Sequence, residues 1–228
     1  AGGHRVRVLD TGGGEVTPSQ QSTASTAGGD RPALLLLHGW SDSTYTWRAL
    51  LPRMRGAFRV VALDWPGFGY SDKPAGPVPF PALAKVAAGV LERLGIDAAF
   101  VAGNSMGGAA ALQLAADYPA RVRGLVLIDA HSSATVGVQN PMLASLLVPV
   151  IGELGAYSIG RAVYRPIVRG LIHDRALADA ETIREMYLPL NTPGGRRSML
   201  VQFREIAAHP PPWELAERVK TPTLIIWG

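Results

Sequence analysis

The sequence predicts an α/β protein: a doubly wound, mostly parallel sheet with a helical insertion. Three observations carry that reading. Short apolar runs alternate with amphipathic stretches through residues 1–131, the rhythm of βαβ units. From Ser132 to Pro212 no strand pattern is found and the segment reads as helical, with Pro and Gly interruptions. The strand pattern then returns at Thr221–Trp227. Three parts follow: a core at 1–131, a helical cap at 132–212 and a return of the core at 213–228.

The elements follow in order. Arg5–Leu9 alternates polar and apolar residues, as a short strand does. Thr11–Asp30 is rich in Gly, Ser, Thr and Gln and reads as a flexible surface loop. Ala33–Leu37 is a continuous apolar run, which suits a strand buried on both faces. Thr46–Met54 predicts an amphipathic helix, and Phe58–Leu63 the next strand. The turn-rich Asp64–Asp72 ends that strand. A helix over Phe80–Leu94 is capped by Gly95. Ala98–Ala102 is a strand, Met106–Tyr118 an Ala-rich helix stopped by Pro119, and Val122–Ile128 a further strand. The longest apolar run, Leu143–Ile151, is expected to be a buried segment.

Composition narrows the function. The 228 residues are 47% hydrophobic and 18% charged, a globular balance. The net charge of +4 comes from scattered residues with no basic run, which argues against nucleic acid. With no cysteine, disulfides, thiolate catalysis and cysteine metal sites are excluded. No run has the length of a transmembrane helix. No signal-peptide pattern is visible; the compartment stays open, with the cytoplasm the expectation. No metal-ligand cluster and no phosphate loop is found, so no cofactor and no metal are expected. The oligomeric state cannot be read.

The chemistry centres on Gly103-Asn104-Ser105-Met106-Gly107, between a predicted strand and a predicted helix. A sharp strand-to-helix turn holds such a serine in a strained backbone conformation, its hydroxyl projecting outward. Bulk two residues to either side would collide with neighbouring elements, hence Gly103 and Gly107. The helix that follows points its N-terminus, with free N–H groups, at the site. His38-Gly39-Trp40 ends the first buried strand, where the second oxyanion donor of this mechanism arises.

With these motifs in order, the chain resembles the α/β-hydrolase superfamily in its cap-bearing branch. HGW at 38–40, DWPGFGYSD at 64–72, GNSMGG at 103–108, LVLIDA at 125–130 and VKTPTLIIWG at 219–228 carry the resemblance. It implies Ser105 as nucleophile and the backbone N–H groups of Trp40 and Met106 as the oxyanion hole. His38, Gly39, Gly103 and Gly107 support loop and elbow. Serine at 105 separates the chain from haloalkane dehalogenases and epoxide hydrolases, which use Asp there. GNSMGG is similar to the elbow of carbon–carbon bond hydrolases that cleave ring-fission products of aromatics.

The family's chain order is Ser, then Asp or Glu, then His. The acid and histidine are therefore expected beyond Gly228, with the family's last strand and helix missing. The apolar Leu224-Ile225-Ile226-Trp227 also expects a neighbouring strand. Truncation is thus the expectation, and the chain opens on Ala1 rather than Met. Among the internal histidines His131 is the best substitute base, His38 a structural one, and His4, His173 and His209 are poorly placed. Asp129 reads as a structural carboxylate at a strand end, and Asp64 and Asp72 as braces of their turn.

In resembling enzymes the cap covers the serine. Here Met142, Leu143, Leu146, Leu147, Tyr157, Tyr164, Met186, Tyr187, Met199 and Phe203 are expected chiefly to form the cap's own core, some lining an apolar pocket. Arg161, Arg165 and Arg169 recur at helical spacing and read as a solvated face, with a carboxylate-binding role as the alternative. The expectation is a hydrolase of a small, fairly apolar ester or related acyl compound, inactive as the 228-residue chain alone. The alternatives are a carbon–carbon bond hydrolase and a non-catalytic ligand-binding protein on the same fold.

Overall fold

The structure, a computed structural model, describes residues 3–12, 31–131, 141–211 and 214–228. The loop expected at Thr11–Asp30 lies outside the described residues beyond Gly12, as does the expected start of the insertion at Ser132.

Six strands form one sheet: β1 (Val8–Asp10), β2 (Ala33–Leu37), β3 (Arg59–Leu63), β4 (Ala99–Asn104), β5 (Val122–Ile128) and β6 (Thr223–Ile226). Their spatial order is β1-β3-β2-β4-β5-β6. β1 pairs antiparallel with β3, and every other pair is parallel. β2 is buried along its whole length, as its unbroken apolar run demands. β3 lies on one side of it and β4 on the other, so the winding reverses there. Open α/β sheets form their crevice at such a switch, outside the carboxyl ends of the strands. Those ends carry His38-Gly39-Trp40 on β2 and Ser105 on β4.

On one face lie α2 (Phe80–Arg93) and α3 (Met106–Asp117). Leu83, Ala84, Ala87 and Leu91 of α2 share a core with Ala110, Ala111 and Leu114 of α3 and with Leu35, Val61 and Val101 of the sheet. Alanine on both helices permits that close packing. The other face is covered by Trp47, Leu50, Leu51 and Met54. Gly95, at φ +65°, closes α2.

Three elements differ from expectation. The first strand begins at Val8, because Arg5 and Arg7 give their backbone N–H to Asp72 Oδ2 and Ser71 Oγ, both at 2.8 Å, instead of to a strand. The helix expected over Thr46–Met54 is broken into a 3-10 turn at Thr44–Trp47 and a short α1 (Leu51–Met54). Pro52 lacks an N–H and fits only a first turn, so the helix restarts there. The run Leu143–Ile151 is not buried as a whole: Leu146 is buried and Leu143 and Leu147 pack half-buried against the same core, but Val148, Val150 and Ile151 are 44%, 68% and 54% exposed. It contains the end of α4 (Pro141–Ser145) and the start of α5 (Ile151–Ser158), and the break at Pro149 leaves no continuous helix to hide it.

Between β5 and β6 follow α6 (Arg161–Leu171), α7 (Ala180–Tyr187) and α8 (Gly195–Ala208), then α9 (Glu214–Arg218). Leu146, Tyr164, Val168, Ile183, Met199 and Phe203 form a separate core among these helices. Met142 and Tyr157, 46% and 60% exposed, lie outside it. β6 is at the sheet edge, with Leu224, Ile225 and Ile226 exposed.

Candidate active site at the β4–α3 turn

Ser105 is the N-cap of α3, at φ 51° and ψ −118°. A positive φ is rare for a non-glycine residue, and holding it there costs about 1–3 kcal/mol. The surroundings over-determine it. Ser105 N–H donates to Ile128 O at 3.0 Å, and Ser105 O accepts from the N–H groups of Ala109 and His131 at 3.1 and 3.0 Å. Asn104 adds a bond from Nδ2 to Ile128 O at 3.2 Å. Among the described residues the Ser105 hydroxyl has no hydrogen-bond partner.

The glycines flanking Ser105 face backbone. A Cβ on Gly103 would lie 2.3 Å from Gly107 O, and one on Gly107 2.2 Å from Leu37 O and 2.5 Å from His38 O. The helix start is thus pressed against the end of β2. Gly39 meets the elbow from the other side: its Cβ would stand 3.0 Å from Asn104 Oδ1 and 3.3 Å from Ser105 Cβ. Gly39, Trp40 and Ser105 are therefore brought together. Neither Trp40 N–H nor Met106 N–H, the latter in the first turn of α3, has a partner among the described residues.

His38 is fully buried. Its Nε2 accepts the Trp65 N–H at 3.0 Å, which leaves the ring proton on Nδ1, directed at Gly39 O at 2.7 Å. Trp65 Nε1 returns a bond to His38 O at 3.0 Å. Both ring nitrogens are occupied, so His38 fixes the loop and takes no proton from Ser105. Asp64, also fully buried, accepts from Thr44 N–H at 2.7 Å and Tyr70 N–H at 2.9 Å and faces Arg7 at 3.4 Å. Asp72 binds Arg5, whose backbone N–H holds its carboxyl below the usual carboxylate range.

His131 is joined to Ser105 through its backbone, but its ring is not. It stacks on Phe80 at 6.4 Å, bonds the backbone of Ile206, and leaves a buried Nε2 with no partner among the described residues. Burial pushes its pKa down, partly opposed by the Ile206 bond. Asp129, at φ 44°, accepts from Gly228 N–H at 2.9 Å. His209 pairs with Glu205 at 3.3 Å. None of the five histidines is hydrogen-bonded to the Ser105 hydroxyl. No group of residues able to hold a metal is found among the described residues.

Sequence reasoning missed several neighbours of the site. Ser41 has φ 60°, a second strained residue beside Trp40. Burial pushes the Asp42 carboxyl up, opposed by bonds from Ser43 and Thr46. Tyr164 reaches Ser41 from α6, and burial raises its phenol. The Trp40 indole donates to Met199 O on α8 at 2.9 Å and packs on Phe203, ring centroids 4.9 Å apart. The polar run Ser41-Asp42-Ser43 directly after HGW was the available signal.

Comparison with known proteins shows the family. Residues 32–228 match the family model described as alpha/beta hydrolase fold. A 2-hydroxy-6-oxononadienedioate/2-hydroxy-6-oxononatrienedioate hydrolase of Burkholderia vietnamiensis is 35% identical over 212 residues, 86% of this chain and 69% of that protein. A 2-hydroxymuconate semialdehyde hydrolase of Pseudomonas putida is 35% identical over 78% of this chain, but the match spans only 59% of that protein's length. A solved meta-cleavage product hydrolase from Pseudomonas fluorescens IP01 superposes with TM-score 0.75 at 25% identity, covering 99% of this chain and 76% of that one. The chain belongs to the alpha/beta hydrolase fold family and, with it, to the hydrolase class of enzymes.

Proposed function

We propose that the protein hydrolyses a small, fairly apolar ester or related acyl compound through an acyl-enzyme on Ser105. The observation that carries this reading is the strained backbone of Ser105, φ 51°, with a hydroxyl that has no partner among the described residues, beside the glycine loop that ends β2. Ser105 Oγ attacks the carbonyl carbon and its proton passes to a histidine base. The oxyanion accepts hydrogen bonds from the N–H groups of Trp40 and Met106, each donor contributing about 3–4 kcal/mol in comparable sites. The alcohol leaves with the proton, and water then releases the acid from the serine. Since no histidine of these residues bonds Ser105, we assign the base and its orienting acid to residues outside them. The helices between β5 and β6 act as the cap, with α8 held over the site by Trp40.

A second reading, cleavage of a carbon–carbon bond in a vinylogous 1,5-diketone, is favoured by the names of the relatives. The deciding assay uses the complete enzyme and its Ser105→Ala variant with a fluorophosphonate probe, simple esters and such a diketone. Labelling and turnover should both vanish in the variant; turnover that survives would sink the role of Ser105. Hydrolysis of the diketone without hydrolysis of esters would select the second reading.

A further inference from the structure

A cleft of about 380 Å³ opens to solvent between α6 and α7, and Ser105 is not among its lining residues. Arg161, Ala162 and Arg165 of α6 line one side, Ala180 and Ile183 of α7 the other. Its volume falls within the range of about 300–1,000 Å³ typical of small-molecule pockets. α6 turns Tyr164 and Val168 inward, and Arg161 and Arg165 are exposed on the flank beside them. They stand four residues apart, so both guanidinium groups occupy one side of the helix. α6 contains no acidic residue, and neither arginine forms an ion pair or hydrogen bond among the described residues. Asp179 is engaged as the N-cap of α7, bonded to Thr182 N–H at 2.7 Å.

A solvated face, as the sequence alone suggests, needs no cleft. Like charges at this spacing destabilise a helix, and an anion between them would reverse that term. Guanidinium groups suit carboxylate in particular, because their planar donors match its two oxygens. The remaining walls are apolar, so the anion should carry a small apolar body.

We propose that this cleft is an accessory site for a small amphiphilic carboxylate, its oxygens held by Arg161 and Arg165 and its body against Ala162, Ala180 and Ile183. The site does not depend on the reaction at Ser105. Binding of hexanoate, hexan-1-ol and inorganic phosphate to the 228-residue chain is measured by calorimetry. Hexanoate should bind saturably, hexan-1-ol should not, and phosphate should bind more weakly than hexanoate. The double variant Arg161→Gln/Arg165→Gln should lose about tenfold or more in hexanoate affinity. Arg169→Gln removes the same kind of charge from outside the cleft and should change nothing. Ala162→Trp keeps both arginines but fills the cleft, and should abolish binding. Hexanoate affinity that is absent, or equal in the double variant, overturns the site. An equal loss in Arg169→Gln overturns it as well, since general charge would then explain the binding. Phosphate bound as tightly as hexanoate overturns the assignment of an amphiphile.

Discussion

Gly89→Ala and Gly107→Ala make one chemical change in two helices, and the structure gives them opposite signs. Both exchange glycine for alanine within a helix, a gain of about 0.5–1 kcal/mol by propensity. Around Gly89 no atom lies within 4 Å of the added Cβ, so α2 should keep the full gain. At Gly107 the Cβ falls 2.2 Å from Leu37 O, where ordinary contact begins at 3.4 Å, so roughly 1 Å of separation must be found. The obstacle is backbone of β2, which is held by ladders to β3 and β4 on both sides and cannot yield locally. Overpacking costs about 1–3 kcal/mol, and a backbone obstacle argues for the upper end. The propensity gain cancels in the comparison, leaving a gap of about 3 kcal/mol between the variants. For a chain of this size that is about 6–12 °C in melting temperature. Thermal melts of the two variants under identical conditions give the gap directly. If Gly107→Ala melts within about 1 °C of Gly89→Ala, the close approach of α3 to β2 is not real.

Asp64→Ala strands two backbone N–H groups and the Arg7 guanidinium around a buried hole. It should cost about 3–5 kcal/mol in urea unfolding, with Asn recovering part of that. Burial lowers the His131 pKa, so below the ordinary histidine value near 6.5 the unfolded chain takes up the proton first. Stability should therefore fall as pH drops from about 6.5 toward the lowered value, by at most about 1.4 kcal/mol per pH unit. His131→Phe should flatten that part of a stability–pH profile; an unchanged slope would refute the assignment. Trp40→Phe keeps the backbone N–H and a ring against Phe203 but deletes the indole bond to Met199 O, and should cost about 0.5–1.5 kcal/mol in thermal unfolding.

The sheet was legible because its central strands are buried on both faces, and continuous apolar runs such as Ala33–Leu37 have few other uses. The elbow was legible because Gly103, Ser105 and Gly107 sit at a spacing that backbone contact requires. The failures lie where tertiary contacts override local pattern. Arg5 and Arg7 look like strand residues, yet Asp72 and Ser71 take their backbone bonds across more than sixty positions of sequence. Leu143–Ile151 looks like core, yet Pro149 divides it into pieces too short to hide. The cleft between α6 and α7 was not legible, since a helical repeat of arginine gives no sign of what the next helix places opposite it.

Trp40 links the two halves of the candidate site. Its backbone follows Gly39, which lies against Ser105, and its indole is bonded to Met199 on α8. His38 fixes the loop from below by two hydrogen bonds of its ring, so the loop has little freedom between β2 and α8. A second tie runs beside it: Gln202 of α8 bonds both the N–H and the carbonyl of Val78 at 2.9 Å. Movement of α8 away from the sheet must therefore break the Val78 pair and, besides, either break the Trp40–Met199 bond or carry the Trp40 side chain with it. The position of the Trp40 N–H is thus set by the sheet on one side and by the helical segment on the other. A substitution within α8 that shifts Met199 should be felt at the elbow without touching Ser105.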